Sequence, residues 1–238
     1  MAYSLLQIVQ QVARRTNLPV PSIVVSSPDE QIQQMFGLAQ ELAEELNEDI
    51  SWQANIVRVT WVSVAAEVQG TVASIFGAEM GDIYSATLWN DTLRKPLYGP
   101  LDKYSYQLLK SMIPSGPINQ YKLMGNEVHV LPIMTAGETC SALTRTKYCW
   151  TNSAGTVFKT IPTDDSDLPL YNDRLMTIGL RARWKEEKGL PYAEDFRRYE
   201  MLKANKATRD GTKPTLYLDR PSQELTPGIF VPAGNWPV

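Results

Sequence analysis

Apolar residues recur at helical spacing near both ends of this chain and at alternating spacing in its middle. The strongest pattern spans residues 172–210, where Leu175, Ile178, Gly179 and Ala182 form one narrow apolar face. Lys185 and Lys188 fall in the last turn, where cations suit the carbonyl end, and Gly189 supplies a left-handed stop. Pro191 is placed to open a second helix, with Glu194 and Asp195 in its first turn. Tyr192, Phe196, Tyr199 and Lys203 line one side of that helix, and Gly211 ends it. The expectation is a helical hairpin around which the rest of the chain is organised.

The other end predicts a second helical pair. Ser4 and Gln7 form a capping-box pair, with Tyr3 and Ile8 placed as a hydrophobic staple. Leu5, Ile8, Val9 and Val12 share a face, Arg14 and Arg15 sit in the last turn, and Pro19 and Pro21 forbid continuation. Arg14 and Arg15 read better as a helix-end charge pair than as a phosphate grip. In the run Ser27-Pro28-Asp29-Glu30, Ser27 is the expected N-cap and Pro28 the first helical residue. The helix runs to about residue 47, with Ile32, Met35, Phe36, Ala39, Leu42, Ala43 and Leu46 inward and Glu41, Glu44, Glu45 and Glu48 outward. Catalytic carboxylates need differing environments to separate their pKa values, so this cluster reads as a solvated acidic face. In a ring, such a face would line a channel or meet a basic partner.

From residue 54 the period changes to two, Val57, Val59 and Trp61 alternating with Arg58, Thr60 and Val62. Residues 65–86 hold little sustained period and read as loop with short strands. Short strands follow at 87–89 and 95–98, then a helix over 101–112 with Tyr104, Leu108 and Leu109 inward, ended by Pro114, Gly116 and Pro117. Strands at 119–124 and 127–131 flank Gly125-Asn126, a two-residue hairpin loop of the glycine-first type. Further strands are expected at 143–150 and 156–160.

The fold class is therefore α+β: N- and C-terminal helices forming a helical bundle, a central antiparallel β-domain, and an extended proline-rich C-terminal arm. The expected boundaries are 1–53 for the first hairpin, 54–163 for the β-domain, 164–211 for the second hairpin and 212–238 for the arm. Five prolines exclude a helix from the arm, yet Leu216, Tyr217, Leu218, Ile229, Phe230 and Trp236 are too apolar for a solvated linker. They are expected to dock, preferably on a neighbouring subunit.

Composition narrows the function classes. With 238 residues and 43% hydrophobic content, the chain can bury a real core, so bulk disorder is excluded. A net charge of −3 supplies no overall attraction to nucleic acid, so DNA binding would require a local patch. Arg145 and Lys147 on one strand, with Lys159 on the next, are the best channel-facing or DNA-facing candidates. Cys140 and Cys149 lack zinc-site spacing and are expected to be reduced thiols. No apolar run approaches the roughly 18 to 20 residues of a bilayer span, and the first residues place their basic pair after the apolar ones, opposite to a secretory signal.

No phosphate loop, nucleophile elbow or H-E-x-x-H motif occurs in the sequence. The single histidine, His129, lies between Val128 and Val130, facing away from them in a structural role. Asp164, Asp165 and Asp167 have the density of a cation site but lack the glycine and distal glutamate of a calcium loop, and read as turn and helix-entry residues. No catalytic, cofactor or metal residue is assigned.

One resemblance gives these elements a purpose. Leu175, Ile178, Gly179, Leu180, Arg183, Trp184 and Lys185, then Lys188-Gly189-Leu190, Tyr192 to Phe196, and Tyr199-Glu200 resemble the C-terminal helices of bacteriophage head-to-tail connection proteins. These are variously called adaptor, connector or tail tubular protein A-like. The likeness covers about residues 1–210. It includes Ser4 to Gln10, the Leu18-Pro19-Val20-Pro21 turn, Trp52, Leu88-Trp89-Asn90 and Gly99-Pro100-Leu101. It implies a non-enzymatic virion protein that assembles in the host cytoplasm into a ring, dodecameric to match the portal protein. The helices would pack beneath the portal, the β part would point toward tail or nozzle proteins, and genomic DNA would pass through the centre without sequence recognition. By the same resemblance, Arg183, Trp184, Lys185, Tyr192, Phe196 and Tyr199 are the expected subunit or portal contacts, with core filling the competing role for Trp184, Phe196 and Tyr199. The rival readings are a head-completion or tail-terminator protein at another layer and a DNA-binding accessory factor.

Overall fold

Two separate hydrophobic cores organise the described residues, one among helices and one between small antiparallel sheets. A computed structural model describes residues 3–111 and 118–211. The arm residues Leu216, Tyr217, Leu218, Ile229, Phe230 and Trp236, and the helix stop expected at Pro114, Gly116 and Pro117, lie outside the described residues.

The helical core is built by α1 (Leu5–Arg15), α2 (Glu30–Asp49), α5 (Asp173–Glu187) and α6 (Ala193–Asp210). α1 starts on the expected capping box: the Gln7 amide donates to Ser4 Oγ, and the Ser4 amide donates to the Gln7 side chain. Asn17 stops it at φ 58°. α2 begins two residues later than the sequence pattern predicts, because the Asp29 carboxylate accepts the Gln31 amide at 2.8 Å. Ser27 instead accepts the Asp29 amide at 3.3 Å, bracing the approach. α5 is buried nearly all round, from Leu175 through Leu180 and on to Ala182 and Trp184, so it forms the centre of the bundle. Trp52 closes the first hairpin by donating from its indole to the Leu46 carbonyl at 2.7 Å. Cys149 and Trp150, from the stretch expected to belong to the β-domain, also enter this core, as does Tyr171 from the approach to α5.

Between the hairpins run β1 (Ile56–Val62), β2 (Val68–Thr71), α3 (Val72–Phe76), β3 (Met80–Ile83), β4 (Trp89–Asn90), β5 (Lys95–Pro96) and α4 (Lys103–Ser111). β6 (Gln120–Met124), β7 (Glu127–Leu131), β8 (Thr139–Thr146), β9 (Trp150–Thr151), β10 (Phe158–Lys159) and β11 (Leu168–Pro169) follow. β8 is the hub of the largest sheet, pairing antiparallel with β1 on one side and with β4 and β3 on the other. A second sheet has the order β2-β7-β6 and a third β10-β9-β11. Trp61, Cys140 and Ala142 of the first sheet meet Tyr121, Val128 and Val130 of the second in the other core.

Three expectations change here. Residues 65–86 contain α3, whose N-cap Thr71 holds the Ser74 amide, so the weak period conceals one helical turn between strands. In α4 the buried residue is Tyr106, whereas Tyr104 and Leu108 are exposed. The helix starts at Lys103, and Asp102 accepts the Ser105 amide at 2.6 Å, which rotates Tyr106 inward. The β6–β7 hairpin has the expected register, but Gly125 and Asn126 both take positive φ, 60° and 64°. That is a type I′ loop; the glycine-first type would need positive φ at the first residue alone.

Candidate functional site

The C-terminal run among the residues that carry the family resemblance, Leu175 to Glu200, folds into the α5–α6 hairpin, which packs against α2. Gly189, at φ 64°, reverses the chain, and Leu190 returns its amide to the Lys185 carbonyl at 2.8 Å. Gly179 permits the closest approach: a Cβ there would lie 2.9 Å from Leu42 of α2 and 2.9 Å from the Tyr199 ring of α6. The helices therefore meet at a point that has no room for a side chain.

Ion pairs bolt the hairpin together. Asp195, 8% exposed, is shared between Arg181 and Lys185, the latter at 2.7 Å. Burial acts to raise the Asp195 pKa, but the two cations outweigh it and hold the carboxyl below its ordinary value. Arg183 pairs with Glu45 of α2, and Lys203 reaches Asp49 and Glu45. Lys188 lies 4.6 Å above the Trp184 ring and donates to Gln34 at 2.7 Å.

The six expected contact residues thus divide. Trp184 and Tyr199 are core, 2% exposed each, and burial pushes the Tyr199 hydroxyl up to about 12. Arg183 and Lys185 are engaged within the chain. Tyr192 and Phe196 stand exposed, their rings edge-on at 6.5 Å, with Leu190 and Met201 also exposed on the hairpin. For Phe196 the core-filling role is excluded; for Trp184 and Tyr199 it is the one observed.

The three cations of the candidate patch have different surroundings in the structure. Arg145 donates to the Asn47 carbonyl at 2.6 Å and the Glu48 carbonyl at 3.0 Å, and also pairs with Asp82. It caps the end of α2, whose last turn has no basic residue of its own. Lys159 is held by Asp167 at 2.8 Å and Asp164 at 3.2 Å. Lys147 alone of the three is exposed. Two of the three cations therefore have acidic partners within the chain.

The aspartate cluster has the turn role expected of it. Asp165 accepts the Val24 and Val25 amides at 3.0 and 2.8 Å, tying the α1–α2 connection to the entry of α5. Asp167, 1% exposed, accepts from Thr163, Asp164 and Lys159. These bonds override its burial and lower its pKa.

Sequence reading missed two groupings. His129 does turn from Val128 and Val130, and on the far side of its sheet lies 3.3 Å from both Glu67 and the Tyr106 hydroxyl. The Tyr106 hydroxyl and Lys110 donate to Glu67 and lower its pKa to about 2, which fastens α4 to the sheet. The second grouping is a cleft of about 610 Å³ among α1, α5 and α6, containing Arg15, Arg174, Arg181 and Arg198 and, among the described residues, no acidic one. The seven-residue spacing of Arg174 and Arg181 signalled a shared helix face; the contributions of α1 and α6 required the fold.

No protein-family model matches the chain, and no curated protein matches it.

Proposed function

We propose that this chain is a structural virion protein, a head-to-tail adaptor that forms a dodecameric ring between portal and tail proteins and surrounds the channel for genomic DNA. It acts by geometry and transforms no substrate. The observation that carries the reading is the α5–α6 hairpin. The C-terminal run on which the resemblance rests is a close-packed helical unit with an exposed apolar edge at Leu190, Tyr192 and Phe196. Such an edge beside a rigid bundle is suitable material for contacts with neighbouring subunits or with portal. The internal pairing of Arg145 and Lys159 counts against the DNA-binding accessory factor.

Gradient sedimentation of the purified protein with portal assemblies of the same virus tests the reading. The expected result is co-migration that Phe196→Asp weakens while the bundle stays folded. Migration of the wild-type protein apart from portal, together with salt-dependent binding of duplex DNA by the monomer, would favour the accessory factor.

A further inference from the structure

Charge is distributed unequally between two sides of the helical bundle. On one side, the cleft among α1, α5 and α6 holds four arginines. Their acidic partners are too few: Asp195 is shared by Arg181 and Lys185, and Glu194 by Arg197 and Arg198. Arg15 and Arg174 are exposed and have no ion-pair partner among the described residues. The cleft is therefore positive, with Ile178, Met201 and Leu202 as an apolar floor.

On the other side stands the outer stripe of α2. Glu30, Glu41, Glu44 and Glu48 are exposed and share the face opposite Ile32, Met35, Leu42 and Leu46. None of the four has a cation partner among the described residues; the α2 carboxylates that do, Glu45 and Asp49, lie toward α5 and α6. α5 separates the two features. Its Gly179 and Arg183 meet α2, whereas Arg174, Ile178 and Arg181, on the other side of the same helix, line the cleft.

We propose that the arginine cleft of one subunit receives the acidic outer stripe of α2 from the next copy. The inference rests on the ring reading above and deepens it by naming the two faces that mate. Different surfaces on opposed sides of one subunit make a heterologous contact, the kind that propagates around a ring. Opposite charge on the two faces favours head-to-tail docking and disfavours cleft against cleft. A 20-residue helix offers a face about 30 Å long for that contact.

Two charge-reversed proteins test it, one carrying Arg15→Glu and Arg174→Glu, the other Glu41→Arg and Glu44→Arg. All four positions are exposed, and circular dichroism would verify the fold of each. Sedimentation velocity is measured with portal present, under the conditions in which the wild-type protein assembles. Each variant alone is expected to lose ring assembly, since like charges then face each other. An equimolar mixture is expected to regain it, with the two variants alternating around a ring of even number. A misfolded variant would not be rescued in this way. Rings formed by either variant alone, or no rescue in the mixture, would overturn the pairing while leaving the adaptor reading standing. Absence of wild-type rings would sink both. Salt-dependent DNA binding lost only in the cleft variant, with its ring assembly intact, would assign the cleft to phosphate and overturn the pairing.

Discussion

Asp195 receives two cations in a nearly dry position, and its value to the fold depends on its charge. Replacing it with Asn leaves Arg181 and Lys185 without a counter-charge. The expected loss is about 3 kcal/mol, the lower end for breaking a buried pair, because the cations keep some access to water at 13% and 26% exposure. Urea denaturation at neutral pH measures it. The same logic sets a pH window. Glu67, Asp167 and Asp195 all have folded pKa values below their ordinary 4.5, 3.8 and 3.8. Each prefers to be charged in the folded state, so its contribution is complete above the unfolded value and disappears as pH falls through the folded one. Stability is expected to be level from neutral pH to about 4.5 and to decline from there toward pH 2. A urea midpoint independent of pH across that interval would contradict the role given to these carboxylates. At Gly179 the issue is space. An added methyl would press on Leu42 and Tyr199, both fully enclosed, and overpacking costs about 1–3 kcal/mol. Alanine's helix propensity returns about 1 kcal/mol. Gly179→Ala should therefore destabilise by about 1 kcal/mol in the same assay, and a stabilised variant would show that the helices can move apart.

At the level of elements, the start of α2 gives a sharp comparison. The Asp29 side chain holds the first-turn amide of Gln31, while Ser27 holds only an amide outside the helix. Asp29→Ala should cost about 1 kcal/mol, as loss of an N-cap does, and Ser27→Ala clearly less; equal thermal midpoints would return the cap to Ser27. Helices with strong periodicity and end signals were legible in the sequence. The capping box at Ser4, the stop at Gly189 and the register across Met124 and Glu127 all follow from local chemistry. What was hidden depended on distant partners. Nothing near Arg145 in sequence indicates that α2 lacks a cation at its carbonyl end. Nothing beside Tyr106 reveals that Glu67 and His129 wait on the adjoining sheet. α3 was obscured because one turn between strands is too short to display a period. The arginine cleft draws on three helices, so only the Arg174–Arg181 spacing could have announced it.

For the whole molecule, the arrangement is a helical bundle with a positive cleft and an acidic stripe, joined to a small double-sheet β unit with its own core. The joint is polar and buried. The Asn55 side-chain nitrogen lies 2.7 Å from the Asn47 side-chain oxygen, 3.0 Å from the Tyr148 carbonyl and 3.2 Å from the Tyr171 hydroxyl, three acceptors around its two hydrogens, which links α2, the chain after β8 and the approach to α5. Hydrogen bonds with such directional demands favour one relative placement of the parts. A rigid unit with two unlike sides is what a closed ring requires of each copy. Electron microscopy of the purified protein, alone and mixed with portal vertices, tests that requirement most directly. Symmetric rings of about twelve copies, seated coaxially on the vertex, are the expected result. Solitary particles that decorate no vertex would contradict it.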